Sequence, residues 1–164
     1  MQRPKRIGLM VAMLLACVGC DQTTKSLARR NLQGRETASF FSDTLRLQYV
    51  ENSGAFLSLG ESLPYRWRTA AFTFGGAVML TAVLVYAVLG SRSGPLQIVA
   101  LSFIAGGGIG NLVDRICYDG HVTDFLNMGI GPIRTGIFNI ADVMLMAGMA
   151  LLLFGPTFSG AARP

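Results

Sequence analysis

Of the 164 residues, 51% are hydrophobic and only 14% are charged, with 14 lysines and arginines against nine acids and a net charge of +5. Soluble domains carry about 25% charged residues, so this charge content, a mean hydropathy of +0.47 and long apolar runs exclude an ordinary soluble domain. The basic residues flank the apolar runs and form no stripe interleaved with aromatics, which assigns them to lipid headgroups and leaves no recognisable nucleic-acid module.

The length fits a single domain, 1–164. Four apolar segments follow one another. The first begins after Arg3, Lys5 and Arg6, runs from Ile7 to Cys20 and continues helically to about Ala28. The second, 69–89, carries no charge. The third, 95–113, is interrupted by Gly106, Gly107, Gly108 and Gly110, and the fourth, 137–154, is apolar apart from Asn139 and Asp142. A span needs about 20 residues at 1.5 Å rise each, so spans are expected at 7–28, 69–89, 95–113 and 137–154. Two long connections remain, 29–68 and 115–136. The alternation of Leu45, Arg46, Leu47, Gln48, Tyr49 and Val50 in the first reads as a half-exposed strand. The expected fold is a membrane all-α bundle of four transmembrane helices with a small extramembrane β-rich cradle.

Four spans place both long connections on one side and both termini on the other. The basic cluster before the first span predicts cytoplasmic termini. Six arginines in 29–68 (Arg29, Arg30, Arg35, Arg46, Arg66 and Arg68) run against a simple positive-inside count. Three cysteines, Cys17, Cys20 and Cys117, make no disulfide framework, and the Cys17/Cys20 pair lies inside an apolar run with no second pair to complete a metal site. Leu14-Leu15-Ala16-Cys17 also reads as the end of a lipoprotein signal peptide, which would make the chain a non-catalytic membrane lipoprotein with three spans left.

Charged groups inside a bilayer cost about 2.5–3.5 kcal/mol each on insertion scales, so those that persist are functional candidates. Asp21 and Lys25 are spaced i,i+4 and share a helix face; Asn111, Asp114 and Arg115 share another; Asn139 and Asp142 are spaced i,i+3. Four spans bring these groups to one layer, on the side of the long connections. Gly106 and Gly110 form a G-x-x-x-G that favours close helix packing. Asp124 lies in a short apolar stretch, a strand or a re-entrant piece at the membrane surface. Two carboxylates brought together in a partly desolvated site share one proton, and such a pair can activate water against a carbonyl. The spacing alone does not bring Asp124 and Asp142 together.

Five motifs occur in order: Asp21-Gln22-Thr23-Thr24-Lys25, Asn52-Ser53-Gly54-Ala55-Phe56, Gly107-Gly108-Ile109-Gly110-Asn111-Leu112-Val113-Asp114-Arg115, Val122-Thr123-Asp124-Phe125 and Phe138-Asn139-Ile140-Ala141-Asp142. With the four-span layout, they resemble lipoprotein signal peptidase, the bacterial signal peptidase II family. The resemblance implies an intramembrane aspartic endopeptidase of the bacterial inner membrane, multi-pass, with both termini cytoplasmic and the active site near the outer face. It would cut prolipoproteins before a diacylglyceryl-modified cysteine. Asp124 and Asp142 would be the catalytic dyad; Asn52, Asn111, Arg115 and Asn139 would hold substrate backbone or orient the dyad; Asp21, Lys25, Asp114 and Gly54 would support the site. No metal and no organic cofactor is implied. The expected partners are prolipoproteins and membrane lipid, with no nucleic acid, and the chain is expected to act as a monomer. Two departures stand out. Asn52 is followed by Ser-Gly-Ala-Phe, one alanine short of the usual pattern, which bears on Phe56. Thr123 replaces an aliphatic residue, and its hydroxyl is expected to donate a hydrogen bond that lowers the Asp124 pKa.

Other functions fit less well. Asp119, His121 and Asp124 suggest a metal, but three ligands within six residues of one loop make a poor preformed site. A proton-coupled small transporter would use intramembrane acids too, yet the chain shows no internal repeat.

Overall fold

In the computed structural model, which describes residues 2–54, 64–90 and 94–155, the N-terminal apolar run is one unbroken helix, α1 (Arg3–Leu32). It extends beyond the expected 7–28 at both ends. Asp21, Lys25 and Arg29 recur at four-residue intervals and are paired inside the protein, so the helix does not stop where its sequence turns polar. Cys17 sits in the middle of α1 and is buried, where a lipoprotein reading needs a cleavable chain.

β1 (Ala38–Phe40) and β2 (Leu45–Asn52) follow, so the strand expected at Leu45–Val50 is present and runs on to Asn52. The second apolar segment comprises α2 (Tyr65–Ala70), a π-helical turn (Ala71–Gly75) and α3 (Gly76–Leu89). α4 (Pro95–Cys117) outruns the expected 95–113, which moves Arg115 from the extramembrane connection into the helix's last turn. β3 (Val122–Ile130) and β4 (Ile133–Arg134) come next. α5 (Ile140–Phe154) starts later than the expected 137: Phe138 instead exchanges backbone hydrogen bonds with Leu126 of β3. The motif position Phe56 lies outside the described residues.

Three helical stretches, Arg3–Leu32, Arg66–Leu89 and Pro95–Cys117, are long and apolar enough to cross a membrane, while Ile140–Phe154 is apolar but shorter. α4 is the central helix and packs against α1, α3 and α5. Its glycines make this possible. A Cβ on Gly106 would lie 2.5 Å from the Cys17 Cβ, and one on Gly107 would lie 2.4 Å from the Ala141 carbonyl oxygen. At the end of the bundle remote from the sheet, the buried Arg6 guanidinium donates to the Val88 and Gly90 carbonyls that end α3, satisfying acceptors a helix terminus leaves open.

At the other end the four strands form one antiparallel sheet in the order β1-β2-β3-β4. β2 pairs with β3 so that Val50 faces Asp124 and Asn52 faces Val122, with a register shift between Leu47 and Val50. Backbone bonds from Phe125 and Leu126 to Phe138 tie β3 to the chain entering α5. The β-rich element expected from the sequence is therefore a small sheet spliced to the ends of α4 and α5.

Candidate active site

Asn139 is the N-cap of α5. Its side-chain oxygen accepts from the Asp142 N–H at 3.0 Å, and the Asp142 Oδ2 accepts from the Asn139 N–H at 3.0 Å. This is the reciprocal arrangement of a capping box, worth about 1 kcal/mol to a helix start. It locks the Asp142 side chain back over its own helix terminus. The other Asp142 oxygen, Oδ1, accepts from Asn111 Nδ2 at 3.0 Å.

Asp124 is on β3 and nearly fully buried. Its Oδ1 accepts from Asn139 Nδ2 at 2.6 Å and its Oδ2 from Asn52 Nδ2 at 2.8 Å. Asn139 thus binds both acids, Asp124 through its side-chain amide and Asp142 through its backbone N–H. Asn52 is itself oriented, because its Oδ1 accepts from the Gly54 N–H at 2.9 Å, leaving only the amide N–H₂ to face Asp124. Arg115 reaches the same loop, donating to the Gly54 carbonyl at 3.3 Å. Burial pushes the Asp124 carboxyl up to about 6. The nearby Asp142 carboxylate adds to the rise, while hydrogen bonds from Asn52 and Asn139 and the charge of Lys25 oppose it.

Behind the two acids lies a buried charge cluster. Lys25, Asp21 and Asp114 are all 0% exposed. The Lys25 ammonium is 2.9 Å from Asp21, 3.4 Å from Asp114 and 2.8 Å from the Asn111 Oδ1. Three donors meet three acceptors, as a buried ammonium requires. The Asn111 oxygen also accepts from Asn139 Nδ2 at 3.2 Å. With two donors facing that oxygen, the Asn111 N–H₂ is turned toward Asp142. Asp21 further accepts from the Ala141 N–H of α5 at 2.9 Å, and Asp114 from the Thr123 N–H of β3 at 2.9 Å.

Every site residue expected from the sequence lies in this one connected network: Asp21, Lys25, Asn52, Gly54, Asn111, Asp114, Arg115, Asp124, Asn139 and Asp142. Thr123 behaves differently from expectation. Its hydroxyl accepts from Arg29 at 3.2 Å and its N–H serves Asp114; neighbouring residues of a strand point to opposite faces, which directs Thr123 away from the Asp124 side chain. Two participants went unassigned. Gln22 Nε2 donates to Asp21, the Gly110 carbonyl and Asp114. Arg29 pairs with Asp114 at 3.3 Å and stacks on Tyr118 at 4.0 Å. Arg29 had a signal, since it continues the Asp21/Lys25 stripe by one more helical turn. Among the described residues no group of three His, Cys, Asp or Glu side chains is placed to hold a metal ion.

The arrangement is two acids of different environment, spanned by one asparagine and backed by fixed amides and charges. Known proteins share both sequence and shape with it. The family described as Signal peptidase (SPase) II matches residues 13–158. A "Lipoprotein signal peptidase" of Moorella thermoacetica is 32% identical over 146 residues, covering 88% of either chain. One from Syntrophomonas wolfei is 34% identical over 141 residues, covering 85% of this chain and 86% of its own. A bacterial membrane enzyme solved in meso at 2.3 Å superimposes with a TM-score of 0.80 at 24% identity, over 96% of this chain and 94% of that one, which shows a common fold. With the family's match running from the first helix past the last, the chain belongs to the signal peptidase II family of membrane proteases.

Proposed function

We propose that this multi-pass membrane protein is an aspartic endopeptidase that removes signal peptides from prolipoproteins, cutting before a diacylglyceryl-modified cysteine. The observation that carries the reading is the Asn139 bridge, which donates to Asp124 and to Asp142 at once. Two carboxylates drawn to one residue in a partly desolvated site cannot both ionise cheaply, so they share one proton. Burial favours Asp124 as its holder. Ionised Asp142 takes a proton from water, the water oxygen attacks the scissile carbonyl carbon, and Asp124 gives its proton to the carbonyl oxygen. Collapse of the resulting gem-diol breaks the C–N bond, with Asp142 returning its proton to the leaving amine and Asp124 retaking the hydroxyl proton. Asn52, Asn111 and Asn139 orient the two acids, and Arg115 stands beside them to meet substrate backbone. No cofactor enters these steps.

The same reading places α1, α2 with α3, α4 and α5 as four spans in the bacterial inner membrane. Arg6 at the α3 terminus, and Leu96 beside Gly155, support grouping the helix ends remote from the sheet on one side. That side is cytoplasmic, and the sheet and acids face outward. All catalytic groups come from one chain, which supports action as a monomer.

The test is cleavage of a diacylglyceryl-modified prolipoprotein in proteoliposomes by the wild type, Asp124→Asn and Asp142→Asn. The expected result is loss of cleavage in both variants with their thermal melts retained, and a product beginning at the lipidated cysteine by mass spectrometry. Turnover by either variant at the wild-type rate sinks the dyad assignment, and inhibition by chelators sinks the metal-free mechanism.

A further inference from the structure

The end of the sheet remote from the two acids carries bulky apolar side chains in the open. Phe40, Leu45 and Met128 form one cross-strand row, and beyond it lie the turn at Phe41 and the β3–β4 hairpin, where Ile130 faces Ile133. Phe41 is 79% exposed and Ile130 and Ile133 are each 81% exposed; Phe40 and Met128 are exposed as well. On the spanning helices, Phe74, Leu153 and Phe154 have comparable exposure, and there the surrounding solvent is acyl chain. Contiguous apolar groups of this size are costly in water and mark a surface that meets something else.

The two turns are also built to stay together. Phe41, Ser42 and Asp43 all have positive φ, at 52°, 51° and 69°, an arrangement that costs energy for residues other than glycine. It is held by polar contacts. Asp43 accepts from Ser39 at 2.7 Å and from Arg46 at 2.7 and 2.5 Å. Arg134 of β4 donates to the Asp43 carbonyl at 2.7 Å, and the Gly129 N–H donates to the Thr44 carbonyl at 2.9 Å.

We infer that these two turns, with Phe40, Phe41, Met128, Ile130 and Ile133, form a wedge that enters the headgroup and upper acyl region of the bilayer. Lipid is the occupant for three reasons. The sheet packs on α1, whose own surround is the membrane, so the wedge and the lipid-facing helices belong to one surface. Two arginines against one aspartate leave the tip positive, which suits anionic headgroups. Pro132 has no N–H to desolvate, and Ile130 and Ile133 already pair across the hairpin. The sheet that carries Asn52 and Asp124 is then tethered at both ends, to the helices and to the bilayer. This inference rests on the chain being a membrane protein and is independent of the aspartate assignment.

Fluorescence tests it. Trp67 is the sole tryptophan, so Trp67→Phe supplies a silent background for Phe41→Trp and, separately, Ile133→Trp. Each is reconstituted into phosphatidylcholine/phosphatidylglycerol vesicles without substrate, with circular dichroism reporting the fold. Both are expected to emit to the blue of tryptophan in water, and to be quenched more by lipids brominated near the carbonyl than near the chain terminus. Water-like emission that bromolipids leave unquenched overturns the wedge. So does a blue shift that appears only on adding prolipoprotein, which would mark a substrate surface, or only at high protein-to-lipid ratio, which would mark contact with a second copy. If Phe41→Trp fails to fold, Ile133→Trp decides. Cleavage by the same samples is scored separately, so a failed wedge and a failed peptidase reading are told apart.

Discussion

Asp124 is the residue in which burial and chemistry are most plainly opposed. Its ordinary carboxylate value is 3.8 and the folded value is about 6. A raised value means that the folded chain binds the proton more tightly than the unfolded chain. The stability it contributes is therefore full below pH 3.8 and is lost as pH rises through about 6, a change of about 3 kcal/mol. Thermal melts in detergent across that range should fall with pH in the wild type, and less so in Asp124→Asn. On the proposed mechanism the alkaline limb of kcat/KM reports the same proton. Asn52→Leu removes a donor that favours the ionised form, so the limb should move to higher pH as overall activity falls; an unmoved limb would detach it from Asp124. The i,i+4 pairing of Asp21 with Lys25 was legible in the sequence because helical geometry alone dictates it. The role of Thr123 was not, because it depends on which face of β3 the residue occupies, and that is decided by Asp114 on another element.

Among the elements, α4 sets the tolerances. Gly106 approaches a side chain, whereas Gly107 approaches backbone, and the two should respond differently to the same substitution. Gly106→Ala should cost about 1–3 kcal/mol by overpacking, and Cys17→Gly in the same chain should restore most of it. Gly107→Ala should cost at least as much and find no such rescue, because the Ala141 carbonyl cannot be trimmed. Melts of the single and paired variants read this directly, and equal rescue of both would show that α4 packs less closely than described. The start of α5 shows where hydropathy misleads. Ile137 and Phe138 are apolar and look like helix, but Asn139 and Asp142 stand at N-cap and N3, and that polar pair marks the boundary. Phe138 is apolar because it pairs with β3, a long-range contact that no local pattern announces.

At the scale of the whole molecule, Asp21, Asp114, Lys25 and Arg29 set two negative charges against two positive ones inside the bundle. Removing one partner leaves an uncompensated buried charge, which costs about 3–5 kcal/mol. Lys25→Met should therefore lower the melting temperature sharply, and adding Asp21→Asn should recover part of the loss; no recovery would mean that the Lys25 contacts matter for shape more than for charge. The sequence announced that several helices deliver polar groups to one layer. It did not announce which groups would touch, since those contacts depend on the depth at which each helix stops. Asn139 has a wider consequence. The residue that caps α5 is also the one that donates to both acids, so on the proposed mechanism the catalytic pair is assembled as α5 forms. A chain emerging from the insertion machinery is, on that mechanism, inert until α5 winds, and local fraying at its start switches the activity off again.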